Sequence, residues 1–156
     1  MHLNGFIPNT LGRRVDCIFC RIISGKIPSQ MLLESEHAVA ILDAFPLAAG
    51  HTLVLSRRHC PKIQDMDPEE NADLFATVRR AASHVDSAMT GASLIAIHNG
   101  RDAGQEIPHL HVHIVPRKPG DSAGAIHTMF DGMPRMSGSD MDETCAKIRG
   151  AGYVLK

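Results

Sequence analysis

Residues 107–117 read Ile-Pro-His-Leu-His-Val-His-Ile-Val-Pro-Arg, with His109, His111 and His113 in strict alternation with apolar residues. This alternation predicts a β-strand that has one face in the core. Side chains at i, i+2 and i+4 emerge on the same face, so we expect three imidazoles in a row, with Cα atoms about 6.5–7 Å apart. Because the pKa of imidazole lies near neutrality, such a row suits proton transfer, nucleophilic attack or metal binding.

Four more strands and one long helix are predicted around the histidine strand. The run Asp67-Pro68-Glu69-Glu70 is a helix start, with Asp67 as cap, Pro68 in the first turn and Glu70 at the reciprocal capping position. Apolar residues then follow a 3.6-residue period until Gly91. The other strands are expected at 30–34, 38–43, 51–56 and 92–98, and short helices at 16–24 and 141–149. Without repeated strand–helix alternation, the pattern predicts an α+β fold: a five-stranded antiparallel sheet with one long helix and short terminal helices.

The chain of 156 residues fits one domain. We expect a tail at 1–14, a core domain at 15–117, and at 118–156 an irregular segment with a short helix packing on the same domain. The apolar runs are too short for a membrane span. A net charge of −1, one Tyr and no Trp argue against a nucleic-acid partner. Four cysteines and no signal-like N-terminus predict a reducing, cytoplasmic location.

The histidine motif resembles that of the histidine triad superfamily of nucleotide hydrolases and transferases, and we call His109, His111 and His113 the triad. The resemblance spans about residues 16–117 and is closest to the bacterial zinc-containing branch. Similar segments lie at 17–28, 50–59, 99–100 and 103–106. The resemblance implies the same five-stranded fold. It also implies a homodimer, with the long helix and the last strand at the interface.

By this resemblance His111 is the catalytic nucleophile. It would attack the α-phosphate of a nucleoside phosphoramidate, a mixed anhydride or a dinucleoside polyphosphate, forming a nucleotidyl-histidine that water hydrolyses. A neutral imidazole is a good nucleophile, provided that its other nitrogen keeps a proton on an acceptor, in this family a backbone carbonyl. The resemblance places His113 and His51 on the phosphate side as catalytic hydrogen-bond donors.

The resemblance also implies the nucleotide contacts. Asp43 would bind both ribose hydroxyls, although it could instead cap a turn. Asn99, Gly104 and Gln105 would contact the phosphate or the leaving group, and Gln105 would also be a catalytic residue. A purine nucleotide or nucleoside phosphoramidate is the expected partner, with its base against Ile18, Phe19 and Ile22, residues that could equally be plain core. Glu106 departs from the pattern, because several eukaryotic members have serine there. The other histidines, His2, His37, His84, His98 and His127, follow no pattern and are interpreted as structural or surface residues.

Cys17-x-x-Cys20 supplies half of a tetrahedral metal site. The resemblance adds His59 and His109 as ligands of a structural zinc, and no catalytic metal is expected. Soft thiolates with imidazoles suit Zn²⁺. A redox role for the two cysteines is the alternative. Buried thiols are predicted for the remaining cysteines, Cys60 and Cys145.

Two other functions are consistent with the same residues. The three triad histidines could together hold a catalytic zinc ion, as three-histidine sites do. Alternatively, the chain could be a nucleotide-binding regulatory protein with slow turnover.

Overall fold

The predicted five-stranded antiparallel sheet is confirmed. The computed structural model describes residues 17–130, 132 and 134–151, so the predicted tail at 1–14 lies outside the described residues. The strand order is β1-β2-β3-β5-β4, and every neighbouring pair is antiparallel. The strands are β1 (Met31–Glu34), β2 (Ala38–Leu42), β3 (Thr52–Ser56), β4 (Ser93–Ala96) and β5 (His111–Pro116).

The predicted long helix and two short helices are also present. They are α1 (Ile18–Ile23), α2 (Pro68–Ala88) and α3 (Gly138–Gly150). Single 3₁₀ turns lie at Ile63–Asp65, Arg101–Ala103 and Ile126–Met129. None of the helices in the described part of the chain combines the length and apolar character needed to cross a membrane.

Helix α2 begins where its capping residues predict. The Asp67 amide donates to Glu70 Oε2 at 3.0 Å, and both guanidinium nitrogens of Arg58 that face Glu70 donate to its carboxylate at 2.6–2.8 Å. The buried residues of α2 follow the helical period and pack on one face of the sheet. That face is formed by alternate residues of β2, β3 and β5, namely Ala38, Ala40, Val54, Val112 and Ile114. Helix α2 therefore closes the main core on this side.

The opposite face of the sheet carries α1 and the histidines. Phe19 and Cys17 pack there against Val39, Ile41, Leu53 and Leu55. The register pairs His111 with Leu55 and His113 with Leu53. Because side chains alternate between faces, these two imidazoles lie on the α1 side, away from α2.

The expectation of three histidines on one strand is wrong for His109. Strand β5 begins at His111, and His109 lies in a turn, where its amide donates to the Ile107 carbonyl at 2.8 Å. The next amide, of Leu110, leaves the β3 ladder and donates to the Cys60 carbonyl at 2.7 Å. As a result His109 is fully buried with its ring against the end of β3, where it bonds the Ser56 carbonyl.

The chain divides after Pro119 into two compact units. In the second unit α3 begins at Gly138, three residues before its predicted start, because Ser137 caps it. The Ser137 hydroxyl accepts from the Asp140 amide at 3.2 Å, and Asp140 accepts from the Ser137 amide at 2.9 Å. Cys60 is buried as predicted, whereas Cys145 is exposed on this short helix, so the prediction of a buried thiol there is wrong. Packing of residues 118–156 on the core domain stays a prediction.

Candidate functional site

The His111 imidazole has one nitrogen committed to the backbone. Its Nδ1 lies 2.7 Å from the His109 carbonyl oxygen, which can only accept, so Nδ1 carries the proton. Nε2 therefore keeps its lone pair. The ring is buried and meets the edge of Phe19, with ring centroids 5.1 Å apart. Burial lowers the pKa of His111, which favours the neutral, nucleophilic form.

His51 and His113 form a hydrogen-bonded pair with a defined direction. The Leu47 amide donates to His51 Nδ1 at 3.1 Å, so the proton of His51 is on Nε2. That Nε2 donates to His113 Nδ1 at 3.0 Å, which leaves the proton of His113 on Nε2. His113 Nε2 is buried and has no hydrogen-bond partner among the described residues. Burying such a donor unpaired costs about 1–3 kcal/mol, and a ligand oxygen would offset this cost.

The site keeps these imidazoles uncharged. Burial, together with smaller effects of the neighbouring His111, His51 and His98, lowers the pKa of His113 to about 4. Burial also lowers the pKa of His51, against the opposing effect of the Asp43 carboxylate. At pH 7 the site is thus a set of neutral donors and one neutral acceptor.

Asp43 makes the turn-capping contact that was the alternative to ribose binding, and ribose binding stays a prediction. Its Oδ1 accepts from the Phe45 amide at 2.9 Å, which is the turn-capping contact. Its Oδ2 lies 3.4 Å from His51 Nδ1. We assign the His51 tautomer from the shorter Leu47 contact, because an amide can only donate. Capping therefore uses one carboxylate oxygen and leaves the other beside the histidines.

The amides of Asn99 and Gln105 are engaged away from the triad. Gln105 Nε2 donates to the Pro61 carbonyl at 2.6 Å. Asn99 Oδ1 accepts from the Ile63 amide and Asn99 Nδ2 donates to Gln64, both at 2.9 Å. The two side chains hold the 98–105 loop against residues 61–64. Gly104 in this loop has φ of +91°, a backbone conformation that favours glycine. Glu106 is exposed.

Of the three apolar residues expected around a base, only Phe19 lies against the triad. Its ring is buried and makes edge contacts with His109 and His111. Ile22 is partly buried behind it, in the same apolar cluster, and Ile18 is 46% exposed. Phe19 is thus both core and a wall of the site.

Sequence reasoning missed His98. Its ring centroid lies 5.4 Å from that of His113. Ala96, the last residue of β4, pairs with His113, and His98 follows two residues later, just before the Asn99-Gly100 turn. No motif marks it, because it approaches the triad from a neighbouring strand.

Cys17, Cys20, His59 and His109 come together as the resemblance implied, with one donor atom of each within 4.8 Å of the others. Cys17 Sγ lies 3.4 Å from His109 Nδ1, Cys20 Sγ lies 3.4 Å from His59 Nδ1, and the two Nδ1 atoms are 3.2 Å apart. A tetrahedral zinc ion 2.0–2.3 Å from its ligands would separate them by about 3.3–3.8 Å. The donor set therefore fits zinc.

The surroundings of this cluster also suit a metal. His109 Nε2 donates to the Ser56 carbonyl at 2.7 Å, which leaves Nδ1 as the free donor atom. Burial lowers the pKa of His59 and of His109, so both imidazoles are neutral, as metal ligands must be. Burial, with Cys17 nearby, raises the pKa of the Cys20 thiol, so a bound metal would have to displace its proton.

The three triad imidazoles do not converge on a common point. His109 directs one nitrogen to the cysteines and the other to the Ser56 carbonyl, whereas His111 directs Nδ1 to the His109 carbonyl. His113 directs Nδ1 to His51. This arrangement argues against a catalytic metal held by all three.

A five-stranded antiparallel sheet in the order β1-β2-β3-β5-β4, with His111 and His113 side by side on the face that α1 covers, defines the fold class, and comparisons with known proteins agree. Residues 24–120 match the family model of the HIT domain. An uncharacterized HIT-like protein of Methanocaldococcus jannaschii is 35% identical over 134 residues, which cover 86% of this chain and 99% of that protein. The chain belongs to the histidine triad (HIT) family.

Two further relatives bear on chemistry. The asymmetrical bis(5'-nucleosyl)-tetraphosphatase of Schizosaccharomyces pombe is 38% identical over 96 residues, 61% of this chain and 53% of that protein. A zinc-bound histidine triad family protein of Mycobacterium smegmatis has a similar crystal structure. Its TM-score is 0.65 at 33% identity, over 88% of this chain and 98% of that one.

The hydrogen-bond network predicts the tautomer of each imidazole. At pH 7 we expect His111 as the Nδ1–H form, and His51 and His113 as the Nε2–H form. ¹⁵N NMR of imidazole-labelled protein measures these states, with exposed His84 as the reference. An Nε2–H form of His111 would contradict the assignment.

Proposed function

We propose that this protein is a nucleotide hydrolase or transferase that cleaves a P–N or P–O bond at the α-phosphate through a nucleotidyl-His111 intermediate. One observation carries the proposal. The His111 Nδ1–H bond to the His109 carbonyl leaves a neutral Nε2 lone pair, beside a buried His113 N–H that has no partner in the part of the chain that the structure describes. Attack at a phosphate requires a nucleophile next to a hydrogen-bond donor that is available to the phosphate oxygens. The tetraphosphatase relative supports nucleotide phosphates as the substrate class.

The first step forms a bond between His111 Nε2 and the α-phosphorus. The bond from phosphorus to the leaving nitrogen or oxygen breaks, and the leaving group departs with the electron pair. The ring then bears a positive charge, which the His109 carbonyl stabilises through Nδ1–H. His113 Nε2–H stabilises the negative charge that develops on the phosphate oxygens. The hydrogen bond from His51 to His113 Nδ1 orients this ring. Water then attacks the same phosphorus and releases the nucleotide from His111.

The nucleotide contacts extend from the triad across the sheet. The proposal assigns the ribose to Asp43, whose Oδ2 is not used by the turn. It assigns a purine base to the side of α1, where Phe19 borders the triad. Gly104, Asn99 and Gln105 form the loop on the other side. For the two amides to contact a phosphate, they would have to exchange their bonds to residues 61–64.

Trapping of the intermediate tests the nucleophile. Mixing the protein with adenosine phosphoramidate should give an acid-labile adduct with the mass of one nucleotide, because His111 Nε2 forms a covalent bond. The His111→Ala variant should give none. His113→Ala should keep the adduct chemistry but lower kcat roughly 10²–10³-fold, by analogy with loss of an oxyanion donor. Intact-mass spectrometry and steady-state rates make the measurements.

Three outcomes separate the functions considered. Equal adduct in the native protein and the His111→Ala variant would assign the nucleophile elsewhere. Complete loss of activity on chelation in a folded protein, restored by zinc and without any adduct, would support a three-histidine metal site. A nucleotide complex with very slow turnover on every substrate tested would support the regulatory function.

We further propose that Cys17, Cys20, His59 and His109 hold a structural zinc ion. The separations of their donor atoms, the free Nδ1 of His109 and the zinc-bound relative from M. smegmatis support this assignment. Bound there, zinc would join the start of α1 to the segment after β3 and to the turn before β5. Because metal binding is coupled to folding, it would stabilise this side of the sheet.

Metal analysis tests the zinc proposal. We expect about one zinc per chain, since the described residues contain one set of four Cys and His ligands. Cys20→Ser should lower both the zinc content and the melting temperature, because three ligands hold the ion less tightly. Cys145→Ser, at an exposed cysteine outside the cluster, is the matched control and should change neither. A metal-free preparation with an unchanged melting temperature would contradict the proposal.

A homodimer is the assembly that we propose. Strand β4, rather than β5, is at the edge of the sheet, since β5 pairs with β3 and β4. Apolar side chains are exposed on this strand and on α2: Leu94, Ile95 and Phe75. Sedimentation should give twice the chain mass, and Ile95→Lys should shift it toward the monomer. A monomer at micromolar concentration would contradict the proposal.

A further inference from the structure

His98 lies next to the triad, on the opposite side of His113 from His51. His51 approaches His113 from the β3 side, with ring centroids 5.2 Å apart. His98 approaches from the end of β4, with ring centroids 5.4 Å apart and the planes tilted by 54°. The His98 side chain therefore lies within the candidate active site, next to His113.

The His98 imidazole is not used by the fold. Within the described residues it makes no hydrogen bond, whereas His51 is held by the Leu47 amide and the His113 ring. It lies beside Gly104, where an added Cβ would come 4.0 Å from the His98 ring. An imidazole carries at least one N–H in either protonation state, so His98 brings a hydrogen-bond donor to the site.

The order of the strands gives the direction in which a nucleotide would extend. Asp43 follows β2, and Phe19 packs over β2 and β3, so ribose and base belong on that side. His111 and His113 are on β5, where the α-phosphate reacts. Strand β4 lies beyond β5, and His98 follows it. A leaving group attached to the α-phosphate is therefore expected to extend toward His98.

We propose that His98 determines leaving-group specificity by donating a hydrogen bond to a phosphate oxygen on the leaving side. This inference rests on the proposed function and names its substrate class: nucleoside and dinucleoside polyphosphates in preference to phosphoramidates. A β-phosphate offers several anionic acceptor oxygens to an N–H donor. The amine of a phosphoramidate offers none, so His98 would distinguish the two leaving groups.

Binding of AMP and ATP to the full chain tests the inference by calorimetry without magnesium. His98→Leu removes the donor at similar size and should lower the ratio of ATP to AMP affinity roughly tenfold. His98→Gln returns an N–H donor and should restore part of that ratio. His84→Ala, at an exposed histidine of α2 on the other face of the sheet, is the control and should leave the ratio unchanged.

Kinetics give a second readout of the same preference. The ratio of kcat/KM for diadenosine tetraphosphate to that for adenosine phosphoramidate should fall about tenfold in His98→Leu. If this variant does not fold, His98→Phe retains a ring at the position and serves instead. Equal effects on both ligands and both substrates, or no effect, would overturn the role of His98. A native protein that binds neither AMP nor ATP would overturn the proposed function itself.

Discussion

The contact on which the site depends is the hydrogen bond from His111 Nδ1 to the carbonyl of His109. It fixes the tautomer of the candidate nucleophile. The acceptor is a backbone carbonyl, and the side chain of the same residue, His109, makes other contacts. The His109 ring is held by the Ser56 carbonyl and faces two cysteines and His59. One residue thus orients the imidazole at 111 with its main chain and completes the candidate metal cluster with its side chain. The sharp turn before β5 makes this double use possible.

Much of this fold follows from local signals in the sequence. Alternation of apolar residues predicted β5, short apolar runs predicted the other four strands, and the capping run at 67–70 predicted the start of α2. The Cys-x-x-Cys spacing and the resemblance together identified four residues that do converge. These signals succeed because strand alternation, helix capping and short ligand spacings depend on residues close in the chain.

The errors arise where distant segments compete for the same backbone groups. His109 leaves the strand because the Leu110 amide bonds Cys60 rather than continuing the ladder, a choice that periodicity does not encode. His98 went unnoticed because its neighbour is on another strand. The positions of the Asn99 and Gln105 amides follow from carbonyl and amide groups in residues 61–64. The prediction of a buried Cys145 rests only on the usual burial of free cysteines, and on α3 this residue is exposed.

The segment from Cys60 to Gln64 has a consequence for how the protein tolerates change. It directly follows His59, receives the Leu110 amide at one end and carries the bonds to Gln105 and Asn99 along its length. Its length is therefore set by three neighbours at once. Insertion or deletion of a single residue would displace the hydrogen-bond partners of all three neighbours. This surface loop should therefore vary less in length than its exposure suggests.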